Sequence, residues 1–251
     1  FTVNSDICLN QVATITNQST ILTGAITNWN WNFGDGNTAS NTNGNAFTKP
    51  YATFGNYNVK LVAVSDSGCV SDTVTHPIAV HAMPVTDFSM PASVCMPNGP
   101  VAFVNNSTIA DNASLIYRWN FGDASAPSSA VNPSHTYAAI GNYSITLRAT
   151  SSFGCFKDTT KTFDKFFDKP VANFNVSPDN LCQGATNTFT DLSTAPNSTI
   201  QVWNWDFADG SNATDASPVK LYTRPGNYAV KLTVTNAVGC VSDVFTKTVV
   251  V

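Results

Sequence analysis

The sequence has no glutamate: all 16 acidic residues among its 251 are aspartate, and charged residues of both signs make up only 11%. Glu, Lys and Arg favour helix surfaces, so long amphipathic helices are excluded as the main theme, whereas the abundant Thr, Val and Asn suit pleated strands and turns. Long apolar runs are missing as well. Leu61-Val62-Ala63-Val64 and Val101-Ala102-Phe103-Val104 are typical, far short of the roughly 20 residues with which a helix crosses a bilayer. A net charge of −4 with no basic cluster argues against nucleic-acid binding, which needs a concentrated positive surface. Histidine is scarce, and no Gly-rich phosphate loop, His-x-x-x-His or Cys-x-x-Cys motif occurs, so the usual signatures of nucleophilic or metal catalysis are absent. No signal peptide is visible, and Phe1 stands in mid-pattern, which reads as a mature fragment or an excised piece.

What the chain does have is a repeat. Trp31-Asn32-Phe33-Gly34-Asp35-Gly36 returns as Trp119-Asn120-Phe121-Gly122-Asp123-Ala124 and as Trp205-Asp206-Phe207-Ala208-Asp209-Gly210, at offsets of 88 and 86 residues. A Gly-Asn-Tyr segment carrying Tyr57, Tyr143 and Tyr228 follows in each copy, then a Gly-Cys pair at Cys69, Cys155 and Cys240. Phe1, Phe88 and Phe174 mark the opening of each unit, so the first lacks its first few residues. This register divides the chain at 1–83, 84–169 and 170–251, with Met83-Pro84 and Lys169-Pro170 at the junctions. Proline there predicts short, stiff linkers and a semi-rigid array.

Inside a unit, Tyr57, Val59, Leu61 and Ala63 alternate with their neighbours and fall on one face of a strand. Asn- and Gly-rich clusters such as Asn41–Asn45 separate such strands. About seven short strands in some 85 residues predict an antiparallel β-sandwich. Trp31 and Phe33, Trp119 and Phe121, and Trp205 and Phe207 stand at i and i+2 and are expected to face the core. Trp29, Tyr117 and Trp203, two residues earlier, share that face. Burial accounts for these aromatics without invoking sugar stacking. Asp35, Asp123 and Asp209 are expected to steady their turns by bonding backbone donors. His135 aligns with Lys49 and Lys220 and reads as a merely polar position.

The order of an opening Phe, a Trp-x-Phe-Gly-Asp-Gly turn, a lone Tyr at Tyr51, Tyr137 and Tyr222, a Gly-x-Tyr segment and a closing Val-rich strand resembles the PKD domain, an immunoglobulin-like sandwich. Pro133-Ser134-His135-Thr136-Tyr137 is similar to the family's Pro-x-His-x-Tyr segment. Ala124 and Ala208 depart from the family's turn glycines. The resemblance implies an all-β array of three tandem modules with no catalytic role. Asn/Thr-rich PKD arrays are similar to those in secreted and gliding-associated surface proteins of the Bacteroidota, exported by the type IX system.

Two cysteines fall in each unit: Cys8 and Cys69, Cys95 and Cys155, Cys182 and Cys240. Fifteen connectivities are open to six cysteines. The repeat favours three bonds within units, each stabilising by roughly 4 kcal/mol on the chain-entropy model. Buried free thiols are the alternative, and zinc is disfavoured because two cysteines without nearby histidine leave coordination positions empty. Disulfides imply an oxidising compartment, hence secretion or surface display. Asp72, Asp158 and Asp243, three residues after each Gly-Cys cysteine, are the candidate ligands should calcium bind, although no dense acidic cluster accompanies them. No other cofactor is expected. Three roles follow: a structural or adhesive spacer of a surface protein, an accessory region of a secreted protease or polysaccharide hydrolase, or a subunit of an extracellular filament. The expected partners are other surface proteins, further copies of the module or extracellular polysaccharide, without nucleic acid and without membrane insertion by this segment.

Overall fold

A computed structural model describes residues 1–178, 180 and 182–251. The described residues form strands and turns with no helix. None is therefore long and apolar enough to cross a membrane as a helix.

Near the N-terminus, a five-stranded sheet runs in the order Asp6–Cys8, Val74–His81, Gly55–Ser65, Ile26–Asn32, Thr38–Asn41. A second sheet of Thr2–Val3, Val12–Thr16 and Phe47–Pro50 faces it. Pairings are antiparallel except where Asp6–Cys8 lies parallel to Val74–His81. The middle of the chain repeats the plan. Leu115–Asn120, Tyr143–Ser151 and Phe156–Phe163 form one antiparallel sheet, and Val94–Met96 runs parallel to Phe166–Asp168. The last third builds Asn212–Ala213, Ile200–Asp206, Asn227–Asn236 and Phe245–Val250 against Phe174–Ser177, Thr186–Asp191 and Val219–Leu221.

The aromatic alternation is realised as expected. Trp31, Trp119 and Trp205 are 3%, 0% and 2% exposed, and each centres its own core with no buried residue shared between the three. Trp29 is buried too, while Tyr117 and Trp203 are half-buried against their cores. Around each tryptophan an edge-on phenylalanine at the opening of the unit closes the core: Phe1, Phe88 and Phe174 at 5.0, 5.1 and 4.9 Å between ring centres. The lone tyrosine of each unit is pinned as well. Tyr51, Tyr137 and Tyr222 donate to the carbonyls of Phe33, Phe121 and Phe207 and stack on Tyr57, Tyr143 and Tyr228.

Candidate functional site: the turn box and the inter-module joint

Two arrangements recur at equivalent places. The first is the turn after the core tryptophan. The side-chain Oδ1 of Asn32, Asn120 or Asp206 accepts the N–H two residues on. Oδ1 of Asp35, Asp123 or Asp209 likewise accepts from Asn37, Ser125 or Ser211. The backbone-steadying role expected for these aspartates is thus present in full. Their other carboxylate oxygen meets Lys49, His135 or Lys220, at 2.6 Å in every unit. The position read as merely polar is therefore a dedicated partner of the turn aspartate. Lys49 and Lys220 also lie over the rings of Phe33 and Tyr51, and of Phe207 and Tyr222, and His135 stacks flat on Phe121 at 4.2 Å.

These contacts set the titration of the turn. Burial pushes the Asp123 carboxyl up, but hydrogen bonds from Ser125 and His135 outweigh it and hold the group at about 2. Asp35 and Asp209 are lowered in the same balance, with Lys49 and Lys220 as the opposing donors. A carboxyl whose folded pKa lies below its unfolded value of about 3.9 stabilises fully above that value and loses the contribution as pH falls through the folded one. Thermal stability should therefore fall between about pH 4 and pH 2. Asp123→Asn should flatten the part of that fall that belongs to the middle unit; an unchanged slope in a pH series of melting curves would refute the assignment.

The turn also carries strain. Ala124 sits at φ 62° where the other units have Gly36 at 85° and Gly210 at 90°. A Cβ built on Gly36 meets nothing within 4 Å, so the cost of alanine at this position is conformational. A left-handed L-residue costs about 1–2 kcal/mol, and glycine returns about 0.4–1 kcal/mol of that through the freer unfolded chain. Ala124→Gly is expected to stabilise the middle unit by about 0.5–1 kcal/mol in urea unfolding.

The second arrangement is the joint between units, and it corrects the expected cysteine pairing. The bonds are Cys8–Cys155 and Cys95–Cys240, while Cys69 and Cys182 are free. The pairs Cys8–Cys69, Cys95–Cys155 and Cys182–Cys240 do not form, and the reason is geometric. Cys8 lies in register with His81, the last residue of the strand Val74–His81, whereas Cys69 lies in the turn before that strand begins. Eight residues of extended chain hold the two about 24 Å apart, and a disulfide needs Cα atoms about 4.4–6.8 Å apart. The first cysteine of a unit is thus at the end where the chain leaves, and the second is at the end where the previous unit arrives. Across each joint the Cα atoms stand 5.6 and 5.5 Å apart.

Polar contacts repeat around the bridges. Asp111 Oδ2 accepts the backbone N–H of Ala82, and Asn197 Oδ1 accepts that of Asp168, two bonds at an offset of 86 residues. Ser93 Oγ donates to the Val238 carbonyl, and Asn236 Nδ2 to that of Asp168. At the first joint the His81 ring stacks on Phe153 at 3.6 Å while its Nε2 bonds Asp6. The linkers are held too, because Val85 pairs with Thr108 and Val171 with Thr194. Sequence reasoning missed His81, Asp111, Phe153 and Asn197; the Asx identity shared by Asp111 and Asn197 was the available signal.

The calcium candidates are dispersed. Asp158 is engaged by Arg148 through two 2.7 Å bonds, which hold its carboxyl below the usual range, while Asp72 and Asp243 are exposed. Among the described residues no group of three His, Cys, Asp or Glu side chains is gathered to hold a metal.

The fold defines a tandem array of immunoglobulin-like β-sandwiches. A family model described as "PKD domain" matches residues 1–80, 81–165 and 168–251, and the chain belongs to the PKD domain family. It is 37% identical over 70 residues to the pre-pro-metalloprotease PrtV of Vibrio cholerae, covering 28% of this chain and 7% of that protein. The solved PKD1 domain of that metalloprotease is 32% identical, with a TM-score of 0.30, and covers 33% of this chain and 96% of that one. The PKD1 domain of Vibrio anguillarum Epp is 30% identical, with a TM-score of 0.30, and covers 34% of this chain and 95% of that one. The eight N-terminal immunoglobulin domains of Down syndrome cell adhesion molecule match at a TM-score of 0.50 and 11% identity, over 99% of this chain and 36% of that one, a likeness of fold alone.

Proposed function

We propose that the chain is a non-catalytic, cross-linked spacer of a secreted or cell-surface protein, holding whatever it carries at a set distance and transmitting load. The observation that carries this reading is the disulfide across each joint. A bond inside a module would stabilise that module only, whereas a bond between neighbours restricts how they turn relative to one another, and a spacer needs that restriction. Both bonds call for an oxidising compartment, which supports an extracellular location. Surface proteins of the Bacteroidota exported by the type IX system are the setting that the resemblance implies. Other surface proteins and further modules are the proposed partners of a spacer, and extracellular polysaccharide is the proposed partner under the accessory reading that follows.

A second reading is favoured by the likeness to the metalloprotease of Vibrio cholerae: the chain is an accessory region whose catalytic domain lies elsewhere. Two measurements separate them. For a spacer, small-angle scattering should give a narrow distribution of maximum dimension that broadens on reduction, and the chain should run through chitin, cellulose and gelatin matrices unretained. Retention on one of these would favour the accessory reading. Distributions identical before and after reduction would remove the spacer reading.

A further inference from the structure

The two joints are built from equivalent parts, and the chain holds one unused copy of each part. Cys69 lies in the same turn as Cys155 and Cys240. In all three the cysteine carbonyl accepts from the residue four earlier: Ser65, Ser151 or Asn236. The side chain of that residue then accepts the cysteine's N–H, at 3.0, 3.2 and 2.9 Å. Yet Cys155 and Cys240 are 1% exposed, and Cys69 is exposed and free. The difference is the neighbouring unit that covers the first two. At the other end, Cys182 follows Asn180, which lies parallel to Val250, as the strands bearing Cys8 and Cys95 lie parallel to the last strands of their units. Cys182 too is exposed and free.

A second observation independently marks the Cys69 end as a docking face. A shallow hollow beside the thiol is lined by Thr20, Ile21, Ile26, Ala63, Val70 and Ser71. Ile21 and Val70 are exposed there, and the adjoining Leu22 is fully so, at 102%. Apolar side chains grouped around a sulfur atom suit the end of a sandwich module, not a small polar ligand.

We infer that Cys69 and Cys182 are the open halves of this joint, and that a second copy of the chain docks head to tail, its Cys182 bonding Cys69 of the first. The inference rests on the joint-based reading of function. The chemistry balances with a small disulfide such as oxidised glutathione as oxidant. Cys69 thiolate displaces one glutathione to give a mixed disulfide, and Cys182 thiolate of the second copy then attacks the Cys69 sulfur and expels the other. Two thiols lose two protons and two electrons, and one oxidised glutathione becomes two reduced.

The test mixes equal amounts of the Cys69→Ser and Cys182→Ser chains in a glutathione redox buffer, with products read by non-reducing gel and peptide mapping. Templated docking should make the Cys182–Cys69 heterodimer at least about tenfold more abundant than either symmetric dimer, and the unsubstituted chain should form a ladder. A 2:1:1 mixture would mean random collision and would overturn the inference, as would glutathione adducts without dimer. The same digest reports Cys8–Cys155 and Cys95–Cys240. If these peptides are present and the heterodimer is not, only this inference fails; if they are absent, the spacer reading fails with it.

Discussion

Stretched between its two ends in oxidising buffer, the chain is expected to extend to roughly a third of the length it reaches once reduced. The bonds Cys8–Cys155 and Cys95–Cys240 offer a short covalent route: from Phe1 to Cys8, across to Cys155, backwards along the chain to Cys95, across to Cys240 and on to Val251. That route holds roughly 80 residues of the 251, or roughly 270 Å of extended backbone against roughly 880 Å at about 3.5 Å per residue. The load then enters the middle unit at its two cysteines and peels Phe1–Cys8 and Cys240–Val251 from the outer units, while residues 9–94 and 156–239, which carry Trp31 and Trp205, lie on slack segments. Single-molecule pulling reads the limit and the opening of the middle unit between Cys95 and Cys155. Cysteine variants separate this routing from pairing within units. Cys155→Ser should raise the limit to roughly 105 residues and Cys69→Ser should leave it unchanged, whereas bonds inside units would make Cys69→Ser add roughly 60 residues.

The difference between those routings also shows what the sequence could carry. The repeated Trp-x-Phe turn, the alternation through Tyr57–Ala63 and the opening phenylalanines were legible because they are local: a strand's period of two and a turn's special residues do not depend on distant chain. Three separate cores follow from them. Cysteine pairing is not local. Spacings of 61, 60 and 58 within units are no more regular than 147 and 145 across them. Only the parallel pairing of Asp6–Cys8 with Val74–His81 shows that the two cysteines of a unit sit at opposite ends. The partner of the turn aspartate was hidden differently. Lys49, His135 and Lys220 are not all one residue type and have in common only an N–H that reaches a carboxylate, and that reach comes from strand pairing such as Val101 with His135. Asp111 and Asn197 were obscured by composition, since one more Asx in an Asn-rich chain draws no notice.

Trp119→Ala is expected to cost the middle unit about 3–5 kcal/mol, and most of that unit's stability with it. The side chain is fully buried, touches Phe88 edge-on and tilts against Phe103, and its Nε1 donates to the Ala130 carbonyl at 2.9 Å. Truncation removes the aromatic volume and leaves a cavity, and a domain of about 85 residues holds only about 4–13 kcal/mol at the usual 0.05–0.15 kcal/mol per residue. The three cores share no residue, so hydrogen-exchange protection should collapse in the strands Leu115–Asn120 and Tyr143–Ser151 and persist around Trp31 and Trp205. A uniform loss of protection across the chain would mean one cooperative core, contrary to the packing. The indole N–H gives a finer comparison. Trp119 and Trp205 Nε1 each reach a backbone carbonyl, whereas Trp31 Nε1 is buried with no acceptor. Replacing tryptophan with phenylalanine forfeits a hydrogen bond of about 1 kcal/mol in the last two units and none in the first. Trp31→Phe should therefore be milder than Trp119→Phe or Trp205→Phe by about that amount, and equal costs would show that the indole donors do not contribute.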